Sequence, residues 1–404
     1  MNSTGKAGKN RENQRVREGI VLKPGREKSV LSRHHWIFSG AIQSYPENFL
    51  NGGIYPVYSA AGQLLGHGYF NQKCSLAGRL LSFGAEEPEL ALKRNLQQAV
   101  QLRQRVYPQG QAVRLVNGES DHLPGLVVDR YGPGLVIQVS TLGMEKIKDR
   151  ILDLLRDILK PAYIYEKSLV PSRQEEGLSE FEGLLNGKLE EPITVEEQGL
   201  KFNIYLTESQ KTGFFLDQRE MRQLVRTLAG GLDVLDGFSY TGGFAVAALK
   251  GGARRVDLVD YSKRALETAG ANLRLNGFSQ DSFRLVNQDM FRFLEERGHL
   301  EYGLVILDPP AFARKKADEK QAVKAYRQLN RLAMERMGPG SFLLTFSCSY
   351  YMDSQTFQKT IFQAALEAGR EARIIQRHRQ AMDHPVSIFH PESDYLKGLL
   401  LYLS

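Results

Sequence analysis

Short apolar runs broken by Gly, Pro and Asn fill the first fifth of the chain, from Ile20 to about Phe83. This spacing predicts a small β-rich domain or barrel. Leucine, alanine and valine then recur at helical spacing over 89–106, with Arg, Lys and Gln on the opposite face, which predicts an amphipathic helix. Mixed strand-like runs follow, and a further helix is predicted over 144–159.

From about residue 230 the pattern changes to alternating strands and helices. The predicted strands are 233–236, 255–260, 284–287, 303–308, 342–347, 373–376 and 396–402, and the predicted helices are 263–276, 321–337 and 354–368. This alternation predicts an α/β fold, a doubly wound Rossmann-like sheet with ligands at the carboxyl ends of its strands. The last strand follows its predecessor without a helix, so we expect it to be an antiparallel edge strand.

Four segments are predicted along the 404 residues. Residues 1–18 form a basic polar tail too poor in apolar side chains to become ordered. A β-barrel-like domain covers 19–88, a central α+β domain covers 89–192, and the doubly wound sheet covers 193–404. The stretch 174–192 is acidic and is predicted to be a loop, so the last boundary is placed there.

The net charge of +7 is concentrated in patches. The first 40 residues contain nine Lys/Arg against three Asp/Glu, and residues 311–336 contain eight against three. Clustered cations favour nucleic acid as a partner. A solvated basic face is the alternative, and the charge by itself does not distinguish the two. Two cysteines exclude a disulfide scaffold. No run approaches 18 apolar residues and no signal peptide is evident, so we expect no membrane association and a cytoplasmic protein.

A glycine-rich turn, Val234-Leu-Asp-Gly-Phe-Ser-Tyr-Thr-Gly-Gly-Phe244, connects a predicted strand to a helix. Asp236 ends that strand, Asp260 ends the next, and Asp289 closes the third strand region. Acids in these places can bind ribose hydroxyls and an adenine amino group, and the turn approaches a ligand closely. Each acid alone is more simply a helix N-cap or loop residue, but three in register indicate an S-adenosylmethionine pocket.

The fourth predicted strand ends in Asp308-Pro-Pro-Ala-Phe312. Two prolines cannot continue a ladder, so the chain must leave the sheet as a rigid arch. The arch would direct the Asp308 carboxylate and the Pro309 carbonyl at a planar substrate, with Phe312 available to stack on it. The alternative is a strand-ending turn with a solvent-facing acid. After an S-adenosylmethionine-type loop, the motif favours methylation of a nucleobase.

Cys348 ends the fifth predicted strand, in Thr345-Phe-Ser-Cys-Ser349. An isolated cysteine is more often a small buried hydrophobe than a nucleophile. A thiolate that adds to carbon 6 of a pyrimidine, however, makes carbon 5 nucleophilic enough to accept a methyl group. A carboxyl group near ring nitrogen 3 would stabilise the developing charge, and Asp308 is the candidate. Cys74 is interpreted as structural.

The segment Thr207–Arg219 is polar around two phenylalanines. It suits a loop that folds over a ligand, and an ordinary domain connector explains it equally well.

Taken together, the motifs resemble those of the RlmI-type large-subunit ribosomal RNA methyltransferases. The matching stretches are Gln210-Lys-Thr-Gly-Phe-Phe-Leu-Asp-Gln-Arg219, Phe238-Ser-Tyr-Thr-Gly-Gly-Phe244, Asp308-Pro-Pro-Ala-Phe312, Thr345-Phe-Ser-Cys-Ser349, Asp383-His-Pro385 and Tyr395-Leu-Lys397. Upstream, Val21–Lys28 with Trp36–Gly40 is similar to the family's PUA domain, and Asn117–Asp121 with Leu123–Arg130 is similar to its central β-rich domain.

The resemblance implies 5-methylation of a cytosine in 23S ribosomal RNA with S-adenosylmethionine as the donor. Cys348 would be the nucleophile and Asp308 the carboxyl group that orients the base. The residues implied at the cofactor site are Gln218, Asp236, Phe238, Tyr240, Gly242, Asp260, Asp289 and Asp308. Those implied at the RNA side are Pro309, Phe312 and Lys316.

Alternative functions stay open at this point. The enzyme could methylate a ring or exocyclic nitrogen, or carbon 5 of uracil, or it could be a non-catalytic RNA-binding assembly factor. A protein or small-molecule methyltransferase fits the basic patches poorly. The target nucleotide and the base that removes the carbon-5 proton are not identified by the sequence. Naked RNA and a ribosomal particle both stay open as the substrate, and a homodimer stays open as well.

Overall fold

The computed structural model describes residues 18–209, 212–313 and 315–404. The predicted basic tail therefore lies, apart from Glu18, outside the described residues. The chain forms two compact units. The first comprises the chain up to Ile193 together with Ile204–Phe214 and Met382–Ser393, and the second comprises Thr194–Asn203, Phe215–Ala381 and Asp394–Ser404.

The first unit begins with a six-stranded sheet. Its strands are β1 (Ile20–Leu22), β2 (Trp36–Phe38), β3 (Ile42–Ser44), β4 (Ile54–Tyr58), β5 (Leu64–Phe70) and β6 (Leu76–Phe83), in the order β2-β6-β5-β4-β1-β3, and the short helix α1 covers Lys28–Leu31. All neighbours pair antiparallel except β1 with β4, which are parallel. Apolar side chains from this sheet, including Leu22, Val57 and Phe70, form a buried core, as the sequence predicts for a small β-rich domain.

A second sheet follows in the same unit, after helix α2 (Pro88–Val106). Its strands are β7 (Ala112–Asn117), β8 (Leu126–Tyr131), β9 (Gly134–Val139), β10 (Tyr163–Ser168) and β11 (Phe181–Gly187), in the order β11-β10-β9-β8-β7; the helices are α3 (Leu142–Lys146), α4 (Lys148–Leu159) and α5 (Ser172–Glu175). Tyr69 of β5 connects the two sheets, since its side chain packs in the buried core of the second sheet and its hydroxyl donates to the Pro124 carbonyl, before β8, at 2.7 Å.

The predicted loop over 174–192 is wrong for Phe181–Gly187, which is the edge strand β11. Its residues are mostly solvent-exposed or half-buried, so the apolar alternation of a strand is missing, and pairing with β10 supplies its order. The single helix predicted over 144–159 is two helices, because Ile147 leaves the helical conformation between α3 and α4 (φ −104°, ψ 11°).

The second unit contains a seven-stranded sheet and, apart from the end residues Ile193 and Ile204, a hairpin of β12 (Ile193–Glu197) and β13 (Leu200–Ile204). That sheet has the strands β14 (Asp233–Gly237), β15 (Arg255–Asp260), β16 (Phe283–Asn287), β17 (Leu304–Leu307), β18 (Phe342–Ser347), β19 (Ala372–His378) and β20 (Lys397–Leu403). Helices α6 (Arg219–Leu228), α7 (Gly243–Lys250), α8 (Lys263–Leu275), α9 (Met290–Glu296), α10 (Glu319–Arg336) and α11 (Ser354–Glu367) connect or flank them.

The strand order is β16-β15-β14-β17-β18-β20-β19, and the first five strands are parallel. This confirms the predicted doubly wound sheet. Strand β20 is antiparallel to β18 and to β19, but it lies between them, so the predicted edge position is wrong. The edge strand is β19. The chain first forms β19 at the outer position and then returns to form β20 between β19 and β18.

The carboxyl ends of β14, β17 and β18 meet at one edge of this sheet, since the three strands are parallel neighbours. Leu235, Val305 and Leu343 are fully buried beneath that edge. Each such side chain contributes roughly 2 kcal/mol by burial, which fixes the strand ends relative to one another. None of the helices in the described ranges is long and apolar enough to cross a membrane.

Candidate active site

The turn after β14 approaches a ligand position with an unusual backbone. Phe238 (φ 61°) and Tyr240 (φ 47°) both adopt left-handed conformations, which cost side-chain-bearing residues roughly 1–2 kcal/mol each. Gly242 (φ 78°) is the N-cap of α7, and a Cβ there would lie 2.9 Å from the Cβ of Ala269. Such strained residues persist only where the surrounding structure holds them in place, and in proteins they cluster at ligand sites.

Gly237 ends β14 where the space is also limited. A Cβ at this position would lie 2.9 Å from the sulfur of Met290 and 3.1 Å from the carbonyl oxygen of Ile306. The glycine therefore lets β14, β17 and α9 pack closely below the turn.

Asp236 lies at the centre of the strand ends and is 1% exposed. Its Oδ2 accepts a hydrogen bond from the backbone N–H of Ala245 at 3.0 Å, and its Oδ1 has no hydrogen-bond partner among the described residues. Burial raises the pKa of this carboxyl well above its ordinary value, and the charges of Asp308 and Asp260 raise it further. The carboxyl groups of Asp236, Asp260 and Asp308 are thus close enough to interact at the carboxyl ends of the strands.

Asp260 and Asp289 have different surroundings. Asp260, half-buried at the end of β15, accepts from the backbone N–H of Tyr240 at 2.9 Å and from that of Ser262 at 2.8 Å, so it fixes the turn. Asp289 is exposed and caps α9 by accepting from the Arg292 N–H at 3.0 Å. The capping alternative for Asp289 is therefore observed, and its adenine contact stays a prediction.

Gln218 is a buried residue on the turn before α6. Its amide Nε2 donates to Oδ2 of Asp308 at 3.1 Å, and its carbonyl oxygen has no partner among the described residues. The unpartnered oxygens of Gln218 and Asp236 are acceptors that a ligand with cationic or N–H groups would satisfy. The site therefore fits S-adenosylmethionine, which carries an ammonium group, a sulfonium centre and an adenine amino group.

The predicted arch forms where β17 ends. Pro309 is buried, and its carbonyl oxygen accepts from the thiol of Cys348, which is half-buried at the end of β18, with Sγ 3.8 Å away. Ser349 links the two strand ends, because its hydroxyl accepts from the Ala313 N–H at 3.3 Å and lies 3.1 Å from the Tyr326 hydroxyl. The arch is thereby fixed against the thiol.

Phe312 and Lys316, two of the three residues predicted for the RNA side, differ in their surroundings. Phe312 packs on the rings of Tyr326 and Phe291, with ring centroids 4.6 and 6.1 Å away. This packing supports the arch from within the core, and stacking on a substrate stays a prediction. Lys316 is exposed on the turn Lys316–Asp318 that precedes α10.

Lys397 was missed as a site residue. Its ammonium group donates to the carbonyl oxygens of Ser349 and Tyr395, both at 2.6 Å, and its position pairs with Ser347, the neighbour of Cys348. Burial lowers its pKa to about 8, and the nearby Cys348 opposes that fall. Only the position of Lys397 in the Tyr395-Leu-Lys397 motif hinted at a role.

Comparisons with known proteins agree with this geometry. The family model described as "S-adenosylmethionine-dependent methyltransferase" matches residues 161–372, and the model of the PUA-like domain matches residues 20–83. The ribosomal RNA large subunit methyltransferase I of Aeromonas salmonicida is 40% identical over 391 residues, 95% of this chain and 98% of that protein.

Solved structures also match along the chain. SMU.776, assigned as a methyltransferase and solved with SAH, has a TM-score of 0.82 and 26% identity over 95% of this chain and 99% of that one. A Streptococcus mutans protein assigned as a SAM-dependent methyltransferase has a TM-score of 0.81, also at 26% identity, over 95% and 99%.

Proposed function

Because the chain belongs to the S-adenosylmethionine-dependent methyltransferase family that includes ribosomal RNA large subunit methyltransferase I, we propose that it forms 5-methylcytosine in large-subunit ribosomal RNA. The observation that carries the choice of base is the position of Cys348. Its thiol lies at the carboxyl end of β18, next to the Asp308 arch at the end of β17.

S-adenosylmethionine, when bound, supplies an electrophilic methyl group. The residues proposed to bind it are Gln218, Asp236, Phe238, Tyr240, Gly242, Asp260 and Asp289, with Asp308 at the boundary to the substrate. The unpartnered oxygens of Asp236 and Gln218 are proposed to accept from its cationic and N–H groups. The left-handed turn at 238–242 keeps the backbone close to it.

The thiolate of Cys348 adds to carbon 6 of the cytosine, which forms a C–S bond and moves the π-electron pair towards carbon 5. Asp308, in its protonated form, donates a hydrogen bond to ring nitrogen 3 and stabilises the negative charge that develops on the ring. After methylation, loss of the carbon-5 proton to a base returns an electron pair to the ring. The C–S bond then breaks and the Cys348 thiolate is released.

The RNA must present an unstacked base to this pocket, at a cost of a few kcal/mol. Pro309 and Phe312 of the arch, with the exposed Lys316, are proposed to contact the extruded nucleotide and its backbone. The PUA-like domain at residues 20–83 is proposed to bind structured RNA in the same complex. A cytoplasmic location fits a ribosomal substrate.

The test is methyl transfer from labelled S-adenosylmethionine to unmodified large-subunit RNA, followed by nucleoside digestion and mass identification. The matched variants are Cys348→Ala and Cys74→Ala. Cys74 is the other cysteine, and burial and the Glu176 carboxylate raise its pKa to about 11, so it is a poor nucleophile. We expect 5-methylcytosine from the wild type and from Cys74→Ala, and none from Cys348→Ala.

A second readout isolates the covalent step. RNA carrying 5-fluorocytidine at the target should trap a stable protein–RNA adduct that depends on S-adenosylmethionine, because fluorine cannot leave as a proton does. Another methylated base, made equally by Cys348→Ala, would mean nitrogen or uracil chemistry. Retained cofactor binding without any methylated RNA product would favour the assembly-factor alternative.

A further inference from the structure

Half of the protein's eight histidines lie together in the first compact unit, whereas the site described above belongs to the second. His34 follows α1, whereas His390 and Glu392 belong to the segment Met382–Ser393. Glu392 comes 358 residues after His34 in the sequence. His35 and His122 lie beside them, with the ring centroid of His35 6.2 Å from that of His390. The proposed methyl transfer uses none of these side chains.

We propose that His34, His390 and Glu392 bind a transition-metal dication of the Zn²⁺ class. Nε2 of His34 lies 3.3 Å from both carboxylate oxygens of Glu392, and Nδ1 of His390 lies 3.6 Å from Oε2. The three donor atoms all lie within 4.8 Å of one another. Donors around a tetrahedral zinc ion with bonds of about 2.0–2.1 Å are roughly 3.3 Å apart, so the cluster needs little movement.

His390 provides the second observation. Its side chain is 2% exposed, and its Nδ1 is buried without a hydrogen-bond partner among the described residues. A buried, unpartnered ring nitrogen costs roughly 1–3 kcal/mol unless a ligand satisfies it. The nitrogen is aimed at Glu392, at a distance too long for a hydrogen bond. A cation between the two groups would satisfy both.

The electrostatics also suit a cation. The carboxylate of Glu119, which accepts from the indole N–H of Trp36 at 3.0 Å, acts on His390 as a second nearby negative charge. Two imidazoles and one carboxylate are a donor set that zinc uses with a fourth, solvent ligand. His34 and Glu392 are 20% and 32% exposed, which leaves room for that ligand.

The metal would join distant parts of the chain. The turn at His390 is closed by its N–H donating to Ser387 at 2.9 Å, and the start of the same segment is anchored where Asp383 accepts from the Arg114 N–H at 3.1 Å. Coordination by His34 would anchor the end of the segment to the first sheet as well. Because only the folded chain brings these ligands together, the metal should raise the melting temperature.

One rearrangement accompanies binding. Nδ1 of His34 accepts from the Trp36 backbone N–H at 3.2 Å, so Nε2 is protonated and donates to Glu392 in the metal-free protein. Coordination at Nε2 moves the ring proton from Nε2 to Nδ1. Nδ1 can then no longer accept from the Trp36 N–H, so the ring turns to separate the two N–H groups. Trp36, whose ring centroid lies 4.5 Å from that of His390, is the single tryptophan of the chain and therefore reports on the site.

The experiment titrates Co²⁺ and Zn²⁺ into the full chain, without an affinity tag and after chelator treatment. We expect one Co²⁺ per chain, with the visible absorption of a four-coordinate ion, quenching of Trp36 fluorescence, and displacement by Zn²⁺ but not by Mg²⁺. Glu392→Gln and His390→Ala should each weaken binding by at least about tenfold. His299→Ala, which changes an exposed histidine in the other unit, should bind as the wild type does.

Glu392→Gln keeps the shape of the side chain, and circular dichroism shows whether each variant folds. No stoichiometric binding by the folded wild type would overturn the proposal. Equal binding by the wild type and the folded Glu392→Gln and His390→Ala variants would also overturn it, and so would displacement of Co²⁺ by Mg²⁺.

Discussion

The thiol of Cys348 donates to the carbonyl oxygen of Pro309, with 3.8 Å between sulfur and oxygen. The two residues end neighbouring parallel strands, β18 and β17, so their relative position is set by buried strand pairing. The same sheet thus places the proposed nucleophile and the arch proposed to orient its substrate, and a sheet is the rigid support that catalytic geometry requires.

Lys397 is predicted to make Cys348 more reactive. A buried ammonium beside a thiol favours the thiolate, so Lys397→Met should slow alkylation of Cys348 by iodoacetamide at pH 7 by about tenfold. The charge is lost above the Lys397 pKa of about 8, so the difference between variant and wild type should shrink there. Mass spectrometry of the two cysteine peptides measures both rates in one sample.

Two controls accompany this measurement. Cys74 should react equally in both proteins, and Lys359→Met, at an exposed position on α11, should leave Cys348 unchanged. Lys397→Arg retains the charge and should recover part of the rate. An unchanged Cys348 rate in Lys397→Met at pH 7 would show that the ammonium group only supports the Ser349 and Tyr395 carbonyls.

Asp236 is predicted to make stability depend on pH. Its pKa is raised in the folded protein by burial and by Asp308 and Asp260, so its favourable contribution is complete below the ordinary carboxyl pKa. That contribution is lost as the pH rises towards the folded pKa. Asp236→Asn removes the ionisation, so the variant should gain on the wild type as pH rises, by on the order of 1 kcal/mol at neutral pH.

Urea unfolding of the cofactor-free proteins at pH 5 and pH 8 tests this. The matched control is Asp281→Asn, which changes an exposed carboxylate on the turn Gln280–Ser282. The same difference between Asp236→Asn and wild type at both pH values would mean that Asp236 does not titrate abnormally.

The strand ends were predictable because the spacing of apolar residues and the order of the elements along the chain indicate the fold. Alternating strands and helices imply a parallel sheet, and parallel strands bring their carboxyl ends to one edge, so Asp236, Asp260, Asp308 and Cys348 could be grouped without coordinates. The left-handed turn at Phe238 and Tyr240 was not predictable, since neither residue type favours positive φ.

Other features depend on contacts between residues distant in sequence. Lys397 approaches Cys348 because β20 inserts antiparallel beside β18, a placement that the local pattern of Leu396–Tyr402 does not contain. The histidine cluster requires the segment Met382–Ser393 to belong to the first unit. In the sequence, however, this segment falls between β19 and β20, which are strands of the second unit. Strand β11 lacked an apolar alternation and was therefore predicted as a loop.

Gly242→Ala should destabilise the protein and weaken cofactor binding. The substitution adds a Cβ at φ 78°, where side-chain-bearing residues are strained, and the new atom would lie 2.9 Å from the Cβ of Ala269. We expect a loss of about 1–3 kcal/mol in urea unfolding, together with weaker binding of S-adenosylmethionine by calorimetry. Gly277→Ala has the same sign of φ (82°) but open space, so it isolates the strain from the clash and should cost about 1 kcal/mol. Equal losses at the two positions would refute the steric part of the argument.

The buried pair of Arg103 and Asp121 should be far more sensitive to substitution than an exposed ion pair of the first unit. The guanidinium, 1% exposed, donates to both carboxylate oxygens, at 2.6 and 2.8 Å. It also donates to the Asp383 carbonyl at 2.8 Å, so it connects α2 to the segment Met382–Ser393. Asp121→Ala would leave the arginine buried and without its carboxylate, which costs about 3–5 kcal/mol.

The matched control for that pair is Asp153→Ala, which breaks the exposed ion pair with Arg156. Solvent screening makes such a pair contribute about 0–1 kcal/mol, so the control should unfold close to the wild type. Hydrogen exchange should localise the effect of Asp121→Ala, because release of Arg103 also removes its hydrogen bond to Asp383 and should expose the amides around that residue. If Asp121→Ala lost no more stability than Asp153→Ala, burial would not be what makes the Arg103–Asp121 contact important.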